Sequence, residues 1–261
     1  MVHKTINLDP GTNLLLQQTL ARITDSAEIR TLWKVINTNA IQRLGMTDHG
    51  PVHFQIVATN GLQMLQLIRD QGVVPSIVKD FQLTPDHAEV VVFLASVLHD
   101  IGMSINRKGH EELSLFLTHT FLRELLDFMP IEDRTVVIAE TLHAIISHRK
   151  DGQPLTLEAG IVRVADALDM TKGRSRIPYE AGKIDIHSVS ANAIDSIHIK
   201  KGSKTPVLIE IVMNHTAGLF QVDELLKQKI TGSGLEQYLD VKIYVMNEGK
   251  RQLFKDFYKG N

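Results

Sequence analysis

VVVFLASVLHD, residues 90–100, is the stretch from which the rest of the chain can be read. Its first nine residues are apolar or small on every side, the pattern of a helix at the centre of a core rather than at its surface. Thr84 ahead of Pro85 supplies the start, a capping hydroxyl followed by proline in the first turn. The end is His99 and Asp100. Burying two such ionisable groups costs on the order of several kcal/mol unless they are paired or ligate a metal. The helix therefore ends on a site, and Ile101-Gly102 breaks it there.

Outward from this helix the first two thirds of the chain read as helix after helix. Ser26 caps a helix running to about Arg43, with Ile29, Leu32, Trp33, Ile36 and Ile41 at helical spacing and Gly45 as the stop. Pro51 opens another, carried by Val52, Ile56, Leu62, Leu65 and Leu67 to about Gln71, which puts His53 in its first turn. Gly109 to Phe128, Ile131 to Ser147 and Leu157 to Met170 complete the series. Beyond Gly173 the period changes to two. Ile184 to Ile186, Ser196 to Ile199, Val207 to Val212 and Val241 to Val245 read as strands, with a helix from about Gln221 to Ile230 among them. The fold class expected is mainly α, a helical domain over residues 1–181 followed by a small α+β region over 182–261, with the boundary near Gly182.

Composition narrows the chemistry. The 261 residues are 43% apolar, enough for one large domain or two smaller ones. Lys plus Arg number 28 and Asp plus Glu 30, a net charge of -2, so no overall field draws the protein to nucleic acid or an anionic membrane. The start, MVHKTINLDPGTN, lacks the order of a signal peptide, and the longest apolar run, Val90 to Leu98, is too short to span a bilayer; the location expected is the cytoplasm. With no cysteine, thiolate zinc sites, iron–sulfur clusters and Cys nucleophiles are excluded. A bound metal must be held by imidazole and carboxylate, which suits Mn, Fe, Co, Ni, Zn or Mg.

Three phrases in order, PVHFQIVATNG from Pro51, FLASVLHDIGM from Phe93 and GIVRVADALDM from Gly160, resemble the HD superfamily of metal-dependent phosphohydrolases. The resemblance covers about Pro51 to Arg176. It implies an HD-type helical bundle and a metal shell of His53, His99, Asp100 and Asp166. The geometry is compatible, because neighbouring helix residues lie about 100° apart and His99 and Asp100 can both reach an ion beside the helix end. Further histidines, His110 in RKGHEELS and His148 in AIISHRKDG, are similar to those of the branch holding two metals. In that branch Asp100 would bridge the two ions, with His110 and His148 on the second, so the cofactor expected is one or two divalent metal ions. Two branch signatures are missing: Gly152 is followed by Gln153-Pro154 rather than Tyr-Pro, and Asp100 by Ile101-Gly102-Met103 rather than an acidic pair. Cyclic di-GMP and alarmone substrates are thus not supported.

Basic residues flank the expected ligands, with Arg107 and Lys108 before His110, Arg149 and Lys150 after His148, and Lys172, Arg174 and Arg176 beyond Asp166. Arginine binds phosphate oxygens bidentately, so these are the expected substrate-phosphate contacts, TKGRSR foremost. Asp100, His110 and Arg174 are the residues expected to act on the reacting phosphate, and Asp169 to orient a ligand. His119 lies on the face of its helix opposite His110, and His143 about 140° from His148. Both read as structural or surface residues, while His49 and His87 are assigned to no site, though a loop could bring His49 to it. The function expected is hydrolysis of a phosphomonoester or phosphodiester, foremost a nucleotide, by water activated at the metal. A di-iron oxygenase of the same fold and a nucleotide-binding regulatory module are the competing classes. The expected partner is a small phosphorylated substrate, with no membrane, no strong nucleic-acid signal, and an edge strand through which two copies could pair.

Overall fold

Thr84 and Pro85 start the central helix as their chemistry requires, and the surrounding elements bury its apolar run. The structure, a computed structural model, describes residues 6–149, 151–173, 186–247 and 249–260. Helices α1 (Leu14–Asp25), α2 (Ala27–Asn37), α3 (Pro51–Arg69), α4 (Ser76–Phe81), α5 (Pro85–Leu98), α6 (His110–Leu125), α7 (Ile131–Ile146) and α8 (Leu157–Ala167) form the first region. Helix α5 packs against α1, α3, α7 and α8, and every residue from Val90 to Leu98 is buried. By length and composition Pro85–Ser104 could cross a membrane, but 89% of its most apolar window lies inside the protein. It is a core helix.

The caps obey the sequence. Ser26 accepts the Ile29 amide, Pro51 opens α3 directly after Gly50, and Thr84 and His87 form a reciprocal capping box, which gives His87 its role. Helix α2 runs on as a π-helical turn, Thr38–Arg43, before Gly45 stops it at φ 61°. After α5 the chain tightens into a 3-10 turn, Ile101–Ser104, against the start of α6. A Cβ on Gly102 would lie 2.1 Å from the His110 carbonyl oxygen, so glycine lets the two meet.

In the C-terminal region a short helix, Ile186–Asn192, precedes strands β1 (Ile194–Lys201), β2 (Val207–Met213), β3 (Leu239–Asn247) and β4 (Lys250–Tyr258), which lie in that order in one sheet. β1 and β4 pair antiparallel with their neighbours, while β2 and β3 run parallel. A parallel pair needs a crossover, and residues 216–230 supply it as a helical segment whose middle, Val222–Lys227, is π-helical. Alternation on β3 buries Leu239, Val241 and Ile243, as period two demands.

The sequence pattern misses α1, α4 and β4. It also errs at Ile184 to Ile186: Ile186 begins a helix rather than continuing a strand, because apolar residues two apart on so short a stretch do not separate the two periods. Ile184, Asp185 and the boundary near Gly182 lie outside the described residues.

The sheet is not a free appendage. Gln63 on α3 donates to the Ile199 carbonyl at 2.9 Å, and buried apolar residues of both regions form one continuous cluster. At Gly160 on α8 the regions approach closely, since a Cβ there would lie 2.2 Å from the Ser233 carbonyl oxygen. Gly160→Ala separates two opposing effects. Helix propensity alone would stabilise by about 1 kcal/mol, whereas the backbone collision should destabilise by about 1–3 kcal/mol. A lowered urea midpoint is expected, and a raised one would show that the contact is dispensable.

Candidate metal centre

Five helix ends deliver the six expected ligands to one place. His53 comes from the first turn of α3, His99 and Asp100 from the end of α5, His110 from the start of α6, His148 from just beyond α7 and Asp166 from the end of α8. Three overlapping sets, His53 with His99 and Asp100, His99 with His148 and Asp166, and Asp100 with His110 and His148, each bring their ligand atoms within 4.8 Å of one another. Five of the six are buried and Asp166 is partly exposed, so solvent approaches from the Asp166 side.

The Asp100 carboxylate divides between two histidine pairs. Its Oδ2 lies 3.5 Å from His99 Nε2 and 3.9 Å from His53 Nε2. Its Oδ1 lies 2.9 Å from His110 Nε2 and 3.9 Å from His148 Nε2. Asp166 Oδ1 faces the first pair, 3.4 Å from His53 Nε2 and 3.8 Å from His99 Nε2.

The other ring nitrogens set the tautomers. His53 Nδ1 meets Asp169 Oδ2 at 2.7 Å, His99 Nδ1 the Ser96 carbonyl at 3.0 Å, His148 Nδ1 the Ile145 carbonyl at 2.6 Å and His110 Nδ1 the Arg107 carbonyl at 2.9 Å. An oxygen acceptor must be met by N–H, so each Nδ1 donates; Nε2 of His53, His99 and His148 is left with its lone pair facing inward, while Nε2 of His110 donates to Asp100 Oδ1 at 2.9 Å. His53 Nε2 and His99 Nε2 then confront one another at 3.2 Å. Two lone pairs at that distance repel unless a cation lies beside both, and this donor set of neutral imidazoles and carboxylates is the one a divalent ion of Mn, Fe, Co, Ni, Zn or Mg takes.

Electrostatics keep the groups in ligand form. Burial opposes the charge on Asp100, but His99, a hydrogen bond from His110 and the nearby His49 outweigh it and hold the carboxyl well below the usual carboxylate range. Burial likewise opposes Asp166, and Lys229, ahead of His99 and His53, holds it well below that range. Burial pushes His99 down, against the pull of Asp100 and Asp166. It pushes His148 down to about 3, helped by His99 and Lys229. His110 moves the other way: burial is overcome by its hydrogen bond to Asp100 and by the Asp100 and Glu111 charges, which raise it.

The basic residues are distributed unevenly. Arg107 and Lys108 are exposed, and Arg107 Nη1 lies 2.9 Å from His110 Nδ1. Arg149, its side chain 49% exposed, pairs with Glu111 at 3.1 Å and Asp151 at 3.5 Å, at the rim of the second histidine pair. Lys172 pairs with Asp195 at 2.9 Å, which ties it to the first residues of β1. Lys150, Arg174 and Arg176 lie outside the described residues. His119 is exposed and His143 Nε2 accepts the Leu155 amide, both structural as expected.

Three residues near the centre escape sequence reasoning. His49 is buried with its ring 5.8 Å from that of His53. Lys229, from the C-terminal region, places Nζ 2.9 Å from Asp166 Oδ2. Arg163, on α8 with Asp166, is 2% exposed and spends its guanidinium on backbone carbonyls. Only Arg163 carried a signal, a charge inside the apolar run IVRVA.

A family model described as HD domain matches residues 62–171, which include His99, Asp100, His110, His148 and Asp166. His53 lies upstream of that match and joins the centre on geometry. The chain is 40% identical over 230 residues to an uncharacterised protein of Methanocaldococcus jannaschii, covering 88% of each chain. No solved structure matches.

The depressed His148 value predicts a pH dependence. Between its ordinary value of 6.5 and about 3 the unfolded chain takes up this proton and the folded one does not. Stability is therefore full above 6.5 and lost as pH falls through that window. His99 adds in the same direction, and His110, being raised, works in the opposite sense. In metal-stripped protein the urea midpoint should fall between pH 6.5 and 4, less steeply for His148→Gln; parallel slopes would refute the buried neutral imidazole.

Proposed function

The chain belongs to the HD-domain family, and on that premise we propose that it is a metal-dependent hydrolase of phosphate esters, with a phosphomonoester or phosphodiester, foremost a nucleotide, as substrate. The observation that carries this reading is the divided Asp100 carboxylate, one oxygen toward His53 and His99 and the other toward His110 and His148. That division suits two divalent ions bridged by one carboxylate. When bound, such ions supply Lewis-acid polarisation of a phosphoryl oxygen and bring the pKa of water toward neutrality.

The chain's own groups do the rest. Asp169 fixes His53 with its Nε2 inward, and backbone carbonyls fix His99, His110 and His148 in the same sense. These rigid rings hold their shape before anything binds, so little reorganisation is needed at the reacting centre. In the metal-free centre His110 is the imidazole raised toward its protonated form, its Nε2 donating to Asp100 Oδ1, and an ion held there would take the place of that proton. Arg107, Lys108 and Arg149 stand on the side of the second pair, where their donors suit phosphate oxygens of an entering anion. Lys172, Arg174 and Arg176 of the TKGRSR stretch are the further phosphate contacts that this reading expects, the two arginines lying outside the described residues.

The test is release of phosphate, or cleavage of a chromogenic phosphodiester, by full-length chain loaded in turn with Mn, Co, Ni, Zn, Fe and Mg, across a panel of nucleotides and phosphoesters. Activity should appear with at least one metal and vanish in Asp100→Ala. Asp169→Asn should lower it about 10–100-fold, the usual cost of losing a partner that orients a ligand. Metal-loaded protein that turns over nothing in the panel would contradict the proposal.

A further inference from the structure

Lys229 reaches the metal centre from the region where no chemistry was expected. It belongs to the turn Gln228–Ile230 that ends the crossover between β2 and β3. Its ammonium donates to Asp166 Oδ2 at 2.9 Å and to the His148 carbonyl, and its side chain is only 13% exposed. A buried ammonium costs several kcal/mol without compensation, so its partners must be well placed.

Placement comes from Arg163, one turn before Asp166 on α8. Its Nε donates to the carbonyl of Lys229 itself at 2.9 Å, and its Nη2 to those of Gln228 at 3.2 Å and Thr231 at 3.4 Å. Its Nη1 donates to the carbonyls of Arg149 and, at 2.6 Å, of Gly152. One helix thus grips Lys229 twice, by its carbonyl through Arg163 and by its ammonium through Asp166. The same guanidinium fastens the segment after His148.

The two oxygens of Asp166 consequently have different surroundings. Oδ1 faces His53 and His99, and Oδ2 is held by Lys229. We propose that Lys229 is a positioning residue of the metal centre, which reserves Oδ2 so that Asp166 offers an ion Oδ1 alone and leaves a coordination position for water or substrate. The C-terminal region is then part of the centre rather than a module attached to it. This inference rests on reading the six residues as metal ligands, and is independent of which reaction they serve.

Cobalt(II) reports the arrangement directly, because its visible absorption weakens as its coordination number rises. Wild-type, Lys229→Met, Lys229→Gln and Lys229→Arg chains, stripped and reloaded with cobalt, would be compared by visible spectrum, by urea midpoint and by turnover of the best ester found. In Lys229→Met and Lys229→Gln the freed Oδ2 should chelate the ion. The expected result is a weaker visible band with cobalt still bound, together with a fall in kcat of about 10–100-fold. Lys229→Arg, whose guanidinium can take the same oxygen, should restore both. Neutral variants with the wild-type band, a raised KM at unchanged kcat, or loss of folding in both neutral variants would each overturn the proposal. So would a wild-type chain that takes up no cobalt. A weakened band in a protein that hydrolyses no ester would refute the hydrolase reading and leave this one standing.

Discussion

The buried carboxylate of Asp100 is the constraint on which the rest of the structure depends. It sits at the end of a helix with no polar face, where an unpaired charge is costly, and it is matched by imidazoles from three other elements and from its own neighbour. Each match needs a helix end at a set distance. Helix α3 starts, α5 ends, α6 starts and α7 ends around one point. The bundle can be understood as the packing that brings those ends together while covering the apolar sides of α5.

A local device repeated at three of these ends makes the arrangement rigid. His99, His110 and His148 each direct Nδ1 at the carbonyl of the third residue before them, Ser96, Arg107 and Ile145. At the end of α5 the Ser96 carbonyl is one of those that a helix end leaves over, and at the end of α7 the Ile145 carbonyl takes the His148 amide at 3.3 Å as well as the ring. The ring meets that carbonyl, and the same bond fixes the tautomer and turns Nε2 inward. Helix termination and ligand orientation are thus one interaction. His53, whose third residue back, Gly50, gives its carbonyl to the Phe54 amide at 3.0 Å, uses the Asp169 side chain instead.

What is local at the metal centre was legible in the sequence, although the local helices α1 and α4 were not. A Thr-Pro start, an all-apolar run and a His-Asp end sufficed to place α5 and its site, and the phrases around His53 and Asp166 located their partners. Asp169 was legible for the same reason, being one turn from Asp166. The parts that escaped depend on contacts between residues far apart in the chain. Lys229 lies 63 residues from Asp166, in a segment whose pattern is merely amphipathic, and nothing in FQVDELLKQKI distinguishes a lysine that turns inward from one that faces water. His49 approaches by a loop whose path the sequence does not fix. β4 has its residues largely exposed, so the alternation that marks a half-buried strand is absent.

Charge ties these long-range partners to the local ones. Glu111 and Arg149 offset one another at the rim. Inside it, the carboxylates of Asp100, Asp166 and Asp169 are countered by the ammonium of Lys229, which leaves two formal negative charges when the imidazoles are neutral. One divalent ion brings that interior to neutrality, and a second makes it positive by two. Coulomb attraction in a site largely closed to water is much stronger than in bulk, so on the proposed hydrolase reading a doubly loaded centre would be the one to draw a phosphate dianion strongly. Without Lys229 the same two ions would leave a single positive charge. On the same reading the lysine contributed by the C-terminal region would bear on anion binding as well as on the geometry of Asp166, which would give a physical reason for the sheet and the bundle to share one core.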